Sequence, residues 1–347
     1  MTGADQTIVD GLDLPALERF FGEHVPGFQG GLSAELLQGG RSNLTYLVTD
    51  GQARWVVRRP PLGGLTPSAH DMLREYRVIA ALAGSDVPVA RAVAFGSADD
   101  VLGVPFSVVE HIDGTVIRTV EQLHALPDSE IARCAYGLVD VLACLHAVDP
   151  EAVGLGGFGR PQGYLTRQVQ RWYDQWQRVR TRELPDMKSL YARLAAACPS
   201  ESGASIVHGD YRIDNAILDL ADPGTVRAVV DWEMATLGDP LADLGLHLVY
   251  TDPLFGPVLN GSAASTSGRL PGSADLAQHY AQASGRGIDN LGFYIALGYF
   301  KIAVIAEGIH ARFLQGLTRG TGFDTVGQAV APLTAAGLRA LTDRDPR

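Results

Sequence analysis

Short apolar segments bounded by turn residues dominate the first part of the chain and predict a small β-sheet. Asp50-Gly51 lies between two of them and predicts a tight hairpin, because glycine adopts a positive φ at no steric cost. Together they indicate an antiparallel sheet within the first ~110 residues. The five segments are SAELLQG (33–39), LTYLVTD (44–50), ARWVVRR (53–59), RAVAFGS (91–97) and PFSVVEHI (105–112).

Helical spacing of apolar residues appears twice in the same part of the chain. The first segment is LDLPALERFFGEHV, residues 12–25. The second is SAHDMLREYRVIAALA, residues 68–83, which follows the third predicted strand and is expected to form a helix inserted in the sheet. Its expected apolar side carries Leu73, Tyr76, Ile79, Ala80 and Ala83.

Helical patterns prevail after the segment DGT at 113–115, interrupted by a β segment at 204–231. This change predicts a domain boundary near His111–Asp113, with one region at 1–111 and another at 112–347, and an α+β fold. The Gly-, Ser- and Pro-rich stretch 256–273 predicts a mobile loop, either a lid or a connector. Helices are expected around 128–148, 164–182, 186–198, 240–251 and 288–312 and near the C-terminus.

Composition and charge narrow the functional class. The net charge of −11 argues against non-specific nucleic-acid binding. Three cysteines without a CxxC pair indicate inert thiols in a reducing compartment. The N-terminal stretch lacks the basic and apolar regions of a signal peptide, and the apolar segment 293–309 is short for a membrane span. We therefore expect a cytoplasmic protein without membrane association; its oligomeric state cannot be read from the sequence.

A cluster of charged and polar residues interrupts the buried-looking sequence IVHGDYRIDNAIL, residues 206–218. Asp210 and Asn215 are five residues apart, and Asp231 follows 21 residues after Asp210, behind two apolar β segments joined by ADPG. A hairpin there is expected to return the chain toward the loop that carries Asp210. Carboxylate and amide oxygens suit Mg²⁺, and one Asp can remain off the metal as a base.

The form HGDxxxxN followed by DWE resembles the aminoglycoside phosphotransferase and choline kinase-like family of small-molecule kinases. GDPLADLG at 238–245 fits the same family. The segments GGRSNLTYLV, WVVRRPP, AHDMLREYRVIAAL and VPFSVVEHIDG resemble, more narrowly, the kinase-like domains fused to some acyl-CoA dehydrogenases. The resemblance covers nearly the whole chain and implies a bilobal, protein-kinase-like fold with ATP and Mg²⁺ as cofactors.

The resemblance also implies roles in nucleotide binding. The Lys that grips phosphate in the family falls at Arg58, with Glu75 as its ion-pair partner; Arg59 is the alternative, since only one of the two neighbours faces the cleft. Backbone groups around Glu110–Ile112 would hold adenine. The residues expected to cover the phosphates are Gly39, Gly40, Ser42 and Asn43.

Catalysis would centre on Asp210, which would align the acceptor hydroxyl and take its proton, while Asn215 and Asp231 would hold Mg²⁺. Arg212 would neutralise the transferring phosphoryl group or, equally, form a structural salt bridge to Asp214. His208 has a supporting role. Separately, Asp239 and Asp243 are expected to cap a helix near Pro240 and brace the loop, and Trp172 and Trp176 to pack in a core or wall the substrate pocket.

These features favour an ATP- and Mg²⁺-dependent phosphotransferase that acts on a small-molecule hydroxyl. A nucleotide-binding pseudokinase that serves as a regulatory module is the alternative, supported by Arg58 in place of Lys. The sequence lacks the Ala-Pro-Glu segment that is typical of protein kinases, which disfavours that class of enzyme. Residues 253–288 contain Asp275 as their single acid, which is unfavourable for a polycationic aminoglycoside. The narrower resemblance implies a hydroxyacyl thioester or another metabolic alcohol as the acceptor.

Overall fold

The computed structural model describes residues 11–37, 43–62, 71–259, 263–318 and 322–342. The chain divides into two compact units. The first contains the described residues up to Ser85, together with Val89–Asp113 and Asp231–Glu233. The second contains Asp86–Pro88, Gly114–Val230 and the described residues from Met234 onward. Each unit thus contains a short segment that is separate in sequence from its main part, and the predicted boundary near His111–Asp113 stays a prediction.

The first unit is built on a five-stranded antiparallel sheet with the order β1-β2-β3-β5-β4. Its predicted strands and the turn at Gly51 are all present, each strand shortened by one to three residues. Strand β2 pairs with β3 from Leu44↔Arg59 to Thr49↔Arg54, which places the hairpin turn at 50–53. The strands are β1 (Ser33–Leu36), β2 (Leu44–Thr49), β3 (Arg54–Arg59), β4 (Ala92–Gly96) and β5 (Phe106–Glu110).

Helix α1 (Leu14–His24) covers the apolar core of this sheet. It begins at Asp13, whose carboxylate accepts a hydrogen bond from the Ala16 amide at 3.0 Å, and Pro15 occupies its first turn. Phe20, Phe21 and the strand residue Trp55 are buried together. The helix therefore anchors the sheet through aromatic packing.

Helix α2 (Met72–Leu82) turns a different face to the interior from the one that its sequence predicts. Leu73 is 47% exposed and Ala80 is exposed, whereas Met72, Glu75 and Leu82 are buried. The expected apolar side is therefore wrong for Leu73, Ala80 and Ala83, whereas Ile79 is buried as expected. Glu75 faces inward beside Arg58 of strand β3, and a spacing rule that counts only the apolar residues of one helix misses such a contact.

The second unit is mostly helical, and the predicted combination of a small antiparallel sheet with a larger helical portion is confirmed. Its helices pack as α4 on α8, and as α9 on α5, α7 and α10. The helices are α3 (Val120–His124), α4 (Asp128–Ala147), α5 (Tyr164–Val179), α6 (Pro185–Ala196), α7 (Pro240–Tyr250), α8 (Ser273–Ser284), α9 (Leu291–Leu314) and α10 (Val330–Ala340).

Two short antiparallel pairs carry the charged cluster of the second unit. Strand β6 (Ser205–Val207) pairs with β9 (Thr236–Gly238), and β7 (Ala216–Leu218) pairs with β8 (Val226–Val229). Ala216 lies opposite Val229, so the predicted hairpin forms and brings the end of β8 level with the start of β7. The residues between β6 and β7 are therefore fixed at both ends.

Helix α9 is long and apolar enough to cross a membrane by length and composition alone. Most of it is buried against helices of its own unit, including Phe300, Ile302 and Glu307. Such burial is what the core helix of a globular domain shows.

The Gly- and Ser-rich stretch 256–273 differs from the expected loop. Its described residues include parts of two 3₁₀ segments, Pro253–Leu259 and Ala264–Thr266, with Val258 and Ala264 buried. The Ala264 amide donates to the Arg118 carbonyl at 3.0 Å. Small residues here permit close packing, which composition does not distinguish from a mobile loop. Helix α8, which begins at the end of this stretch, has no counterpart among the expected helices.

Candidate active site

Asp210 lies at the centre of the loop 208–215, called here the catalytic loop. The Tyr250 hydroxyl donates a hydrogen bond to its Oδ1, and Asn215 Nδ2 donates to its Oδ2 at 3.1 Å. Asn215 Nδ2 also donates to the Asp210 backbone carbonyl at 2.8 Å. Each carboxylate oxygen therefore has a fixed donor, which orients the group while leaving its side chain 27% exposed.

Asp243, in the first turn of α7, holds the start of this loop. Its carboxylate is buried and accepts hydrogen bonds from the backbone amides of His208 (2.5 Å) and Gly209 (2.8 Å). Burial favours the neutral acid, but hydrogen bonds from the His146 ring and the His208 amide hold the pKa of Asp243 below its ordinary value. A charged acceptor thus fixes the backbone immediately before Asp210.

His208 is fully buried, and both of its ring nitrogens are used. Nδ1 accepts from the Asp210 amide at 3.2 Å, so Nε2 carries the proton and donates to the Val230 carbonyl at 3.0 Å. Both ring nitrogens therefore contact the backbone, and His208 shapes the loop. The supporting role expected for His208 agrees with these contacts.

Gly209 adopts φ +80°, a conformation that other residues rarely reach. A Cβ atom at this position would lie 2.9 Å from the Met234 carbonyl oxygen. Glycine is therefore required next to Asp210 for both backbone and steric reasons.

Arg212 is held by the loop itself. Its Nη1 lies 2.9 Å from Asp214 and its Nε 3.5 Å from Asp210, with the guanidinium 5.6 Å from the centre of the Tyr250 ring. Burial raises the pKa of Asp214 in spite of the neighbouring Arg212. Of the two roles open for Arg212 from the sequence, the salt bridge to Asp214 is the contact present.

Asn215 has the chemistry required of a Mg²⁺ ligand. It is buried, and its Nδ2 is committed to Asp210, so its Oδ1 is the atom that can bind a cation. A hard amide oxygen in that orientation fits Mg²⁺.

The first unit contains a separate group of charges around Arg58. Its Nη1 lies 2.5 Å from Glu75 and its Nη2 2.6 Å from Asp231, with Glu233 4.0 Å away. One guanidinium thus faces three carboxylates. Burial, opposed by Arg58 and reinforced by the other two acids, raises the pKa of Glu75 to about 7.

Asp231 has a left-handed backbone, with φ +66°. Such a conformation is uncommon outside glycine and is found where surrounding structure or function requires it. The ion pair with Arg58 uses Oδ1 of Asp231, and the same carboxylate has a second oxygen suited to a cation.

The other residues expected to bind nucleotide have varied surroundings. Arg59 is buried on the opposite side of β3 from Arg58 and donates to the Gly11 carbonyl, so it has a structural partner. The Glu110 carboxylate lies 2.9 Å from Nε of Arg91, and the Glu110 amide donates to the Arg91 carbonyl. Ile112 is partly buried. Asn43 is buried beside β2. Gly39, Gly40 and Ser42 lie outside the described residues.

Two side chains at this site carry no role in the sequence-based predictions. Tyr250 donates to Asp210, and Lys301 Nζ donates to the Gly209 carbonyl at 2.7 Å. Lys301 leaves one signal in the sequence, a lone cation in an apolar helix, whereas Tyr250 leaves none. Asp243 braces the loop as expected but does not cap α7, because the cap is Asp239, which accepts from the Leu241 amide at 2.9 Å.

Comparisons with known proteins identify the family and the fold of this chain. Residues 33–287 match the model of the phosphotransferase enzyme family. Acyl-CoA dehydrogenase family member 11 of Rattus norvegicus is 33% identical over 338 residues, which cover 94% of this chain and 43% of that relative. Its Gallus gallus counterpart is 35% identical over 337 residues, with the same coverage. The chain therefore spans less than half the length of these relatives.

Among solved structures, a Ralstonia eutropha JMP134 protein provisionally named an aminoglycoside phosphotransferase has a TM-score of 0.82 and 33% identity, covering 96% of this chain and 99% of that one. The predicted kinase-like fold and the predicted family are both confirmed by these matches. The chain belongs to the phosphotransferase enzyme family.

Proposed function

We propose that this chain transfers a phosphoryl group from ATP, with Mg²⁺, to the hydroxyl of a small molecule. The observation that carries the proposal is the Asp210 carboxylate, which is oriented by Tyr250 and Asn215 on a loop braced by Asp243. A carboxylate fixed in this way can align a hydroxyl and accept its proton. Solved proteins of this fold support the nucleotide, since one contains ADP and hygromycin B.

The roles predicted for the remaining residues stay predictions. Arg58, fixed by Glu75, would bind the nucleotide phosphates, and Asn215 and Asp231 are the candidate Mg²⁺ ligands. Bound Mg²⁺ would neutralise phosphate charge and orient the oxygens. Most of the rate enhancement would come from positioning the acceptor at Asp210 and from charge neutralisation.

We propose a metabolic alcohol, such as a hydroxyacyl thioester, as the acceptor in preference to an aminoglycoside. Residues 253–288 supply one acid, Asp275, whereas binding of a polycation needs several. The thioester is proposed by analogy, because the relatives are named as acyl-CoA dehydrogenases and those enzymes act on acyl thioesters. The cytoplasmic location also stays a prediction.

A regulatory nucleotide-binding module is the second candidate. The ion pair between Arg58 and Asp231 favours it, because it occupies an oxygen of a predicted Mg²⁺ ligand. The two candidates differ in turnover, since a binding module has none.

The deciding experiment measures ADP release with ATP·Mg²⁺ and panels of hydroxy acids, hydroxyacyl-CoA thioesters and aminoglycosides. We expect turnover with a member of the first two panels and a loss of about 10³-fold in Asp210→Asn, which keeps the shape of the side chain but removes the base. Binding of ATP without turnover on any panel would favour the regulatory module. Turnover that survives in Asp210→Asn would refute the role of Asp210.

A further inference from the structure

Lysine is scarce in this protein. The chain contains 28 basic residues of the Lys and Arg types, and only Lys188 and Lys301 are lysine. Lys188 is exposed and lies 3.0 Å from Glu183. Lys301 instead lies in the middle of the apolar helix α9, between the buried residues Phe300 and Ile302. A cation in such a position requires a physical explanation.

The second charged residue in this part of α9 has such an explanation. Glu307 accepts hydrogen bonds from the Thr181 amide (2.8 Å) and hydroxyl (2.7 Å), and Arg182 lies 3.1 Å away. Its charge is therefore balanced by a donor set that ties α9 to the end of α5. Within the described ranges of the chain, Lys301 has no comparable set of partners.

The contacts of Lys301 are few and lie at the catalytic loop. Its ammonium donates to the Gly209 carbonyl at 2.7 Å and lies 5.6 Å from the centre of the Trp172 ring. No ion pair among the described residues includes it at 4.0 Å or less. An ammonium has three donors, so one carbonyl and one aromatic face leave capacity for a further acceptor.

The charges around Lys301 come from three elements. Asp210 on the loop and Asp243 on α7 favour its protonated form, while Arg171 on α5 opposes it. Burial is the largest influence and lowers the pKa of Lys301. Of the charges that favour the protonated form, the largest influence is that of Asp210, the residue next to the carbonyl that Lys301 contacts.

We propose that Lys301 binds an oxyanion of the ligand held at the catalytic loop, in the role that the sequence offered to Arg212. Arg212 is bound to Asp214, whereas Lys301 is a compact cation adjacent to Asp210 with donors to spare. The oxyanion is either the transferring phosphoryl group or a carboxylate of the acceptor. This inference deepens the proposed phosphotransferase function and rests on it.

The scarcity of lysine makes the test direct. The full chain, labelled with ¹³C at the Cε atoms of lysine, gives two signals, and Lys188→Arg removes one and so assigns both. Inorganic phosphate is titrated in the presence of ADP and Mg²⁺, with potassium chloride at matched ionic strength as the reference. We expect the Lys301 signal to shift with phosphate and the Lys188 signal to stay. A Lys301 signal that phosphate leaves at its chloride position overturns the proposal.

Two further arms identify the source of the oxyanion. A shift with AMP-PNP·Mg²⁺ but not with ADP·Mg²⁺ assigns the transferring phosphoryl group. If phosphate shifts the Lys301 signal, a shift with 3-hydroxybutyrate but not with the neutral 1,3-butanediol, both added with ADP·Mg²⁺, assigns a carboxylate of the acceptor. In turnover assays Lys301→Met is expected to lower kcat/KM about 100-fold relative to the matched surface variant Lys188→Met. Equal rates in the two variants would contradict a role in the reaction.

The test separates this inference from the function on which it rests. The phosphate titration needs no turnover, so a shifted Lys301 signal in a protein that transfers phosphate to no acceptor would refute the phosphotransferase and leave the oxyanion site standing. An active enzyme whose Lys301 signal does not respond to phosphate would keep the phosphotransferase and refute the oxyanion site.

Discussion

The substitution Glu75→Gln tests the electrostatics of the first unit. Glu75 is 3% exposed; its Oε1 lies 2.5 Å from Arg58, and its Oε2 is buried without a hydrogen-bond partner among the described residues. A carboxyl group in this position gains from holding a proton on the second oxygen. Its pKa is accordingly raised from 4.5 to about 7. Glutamine resembles the protonated form in shape and charge.

The magnitude follows from the difference between the folded and unfolded states. Between pH 4.5 and 7 the folded protein binds the Glu75 proton more tightly than the unfolded chain does. The resulting stability is complete below pH 4.5 and is lost as the pH rises through 7. At about 1.4 kcal/mol per pKa unit, the change is about 3 kcal/mol. The glutamine variant lacks this contribution at every pH.

The assay is urea unfolding followed by circular dichroism at pH 4.5 and pH 8 for wild type and Glu75→Gln. We expect the free energy of unfolding of the variant, relative to wild type, to increase by about 3 kcal/mol from the lower to the higher pH. Glu110→Gln is the matched control, because that carboxylate is 46% exposed and paired with Arg91. A Glu75→Gln difference that is the same at both pH values would mean that Arg58 keeps Glu75 ionised throughout, and would refute the reasoning.

Three further substitutions test the second unit. Tyr250→Phe removes the donor to Asp210 and is expected to lower kcat about 10-fold without changing KM for ATP. Tyr299→Phe is the control, because its hydroxyl donates to a different carboxylate, Asp252, and its kcat should stay at the wild-type value. Equal kinetics in the two variants would exclude a positioning role for Tyr250. Asp243→Asn should lower the free energy of unfolding in urea by about 2–3 kcal/mol, since two loop amides lose a charged acceptor; an unchanged value would contradict the bracing contact. Glu307→Gln should lower the free energy of unfolding by about 1–3 kcal/mol in the same assay and leave kcat unchanged. A fall in kcat would show that Glu307 also affects the reaction and would contradict a purely structural role.

Much of the fold could be read from local patterns. The five strands of the first unit and the hairpin turn at Asp50-Gly51 follow from apolar segments and turn residues that are close in sequence. The inward face of α2 could not be read in this way. Glu75 is buried there beside Arg58 of another element, and Leu73 is exposed, so the inward face depends on a contact that the helix's own sequence does not contain.

In the candidate site, too, some features follow from the local sequence and others depend on the packing of distant elements. The sequence by itself determined that Asp210 and Asn215 share a short loop between two strands, since five residues of separation leave the chain little freedom to part them. Only the tertiary structure decided which side chains complete the loop. Tyr250 is 40 residues from Asp210, and Lys301 is 92 residues from Gly209. Contacts over such separations depend on how whole helices pack, and packing is a property of the folded chain rather than of any local pattern.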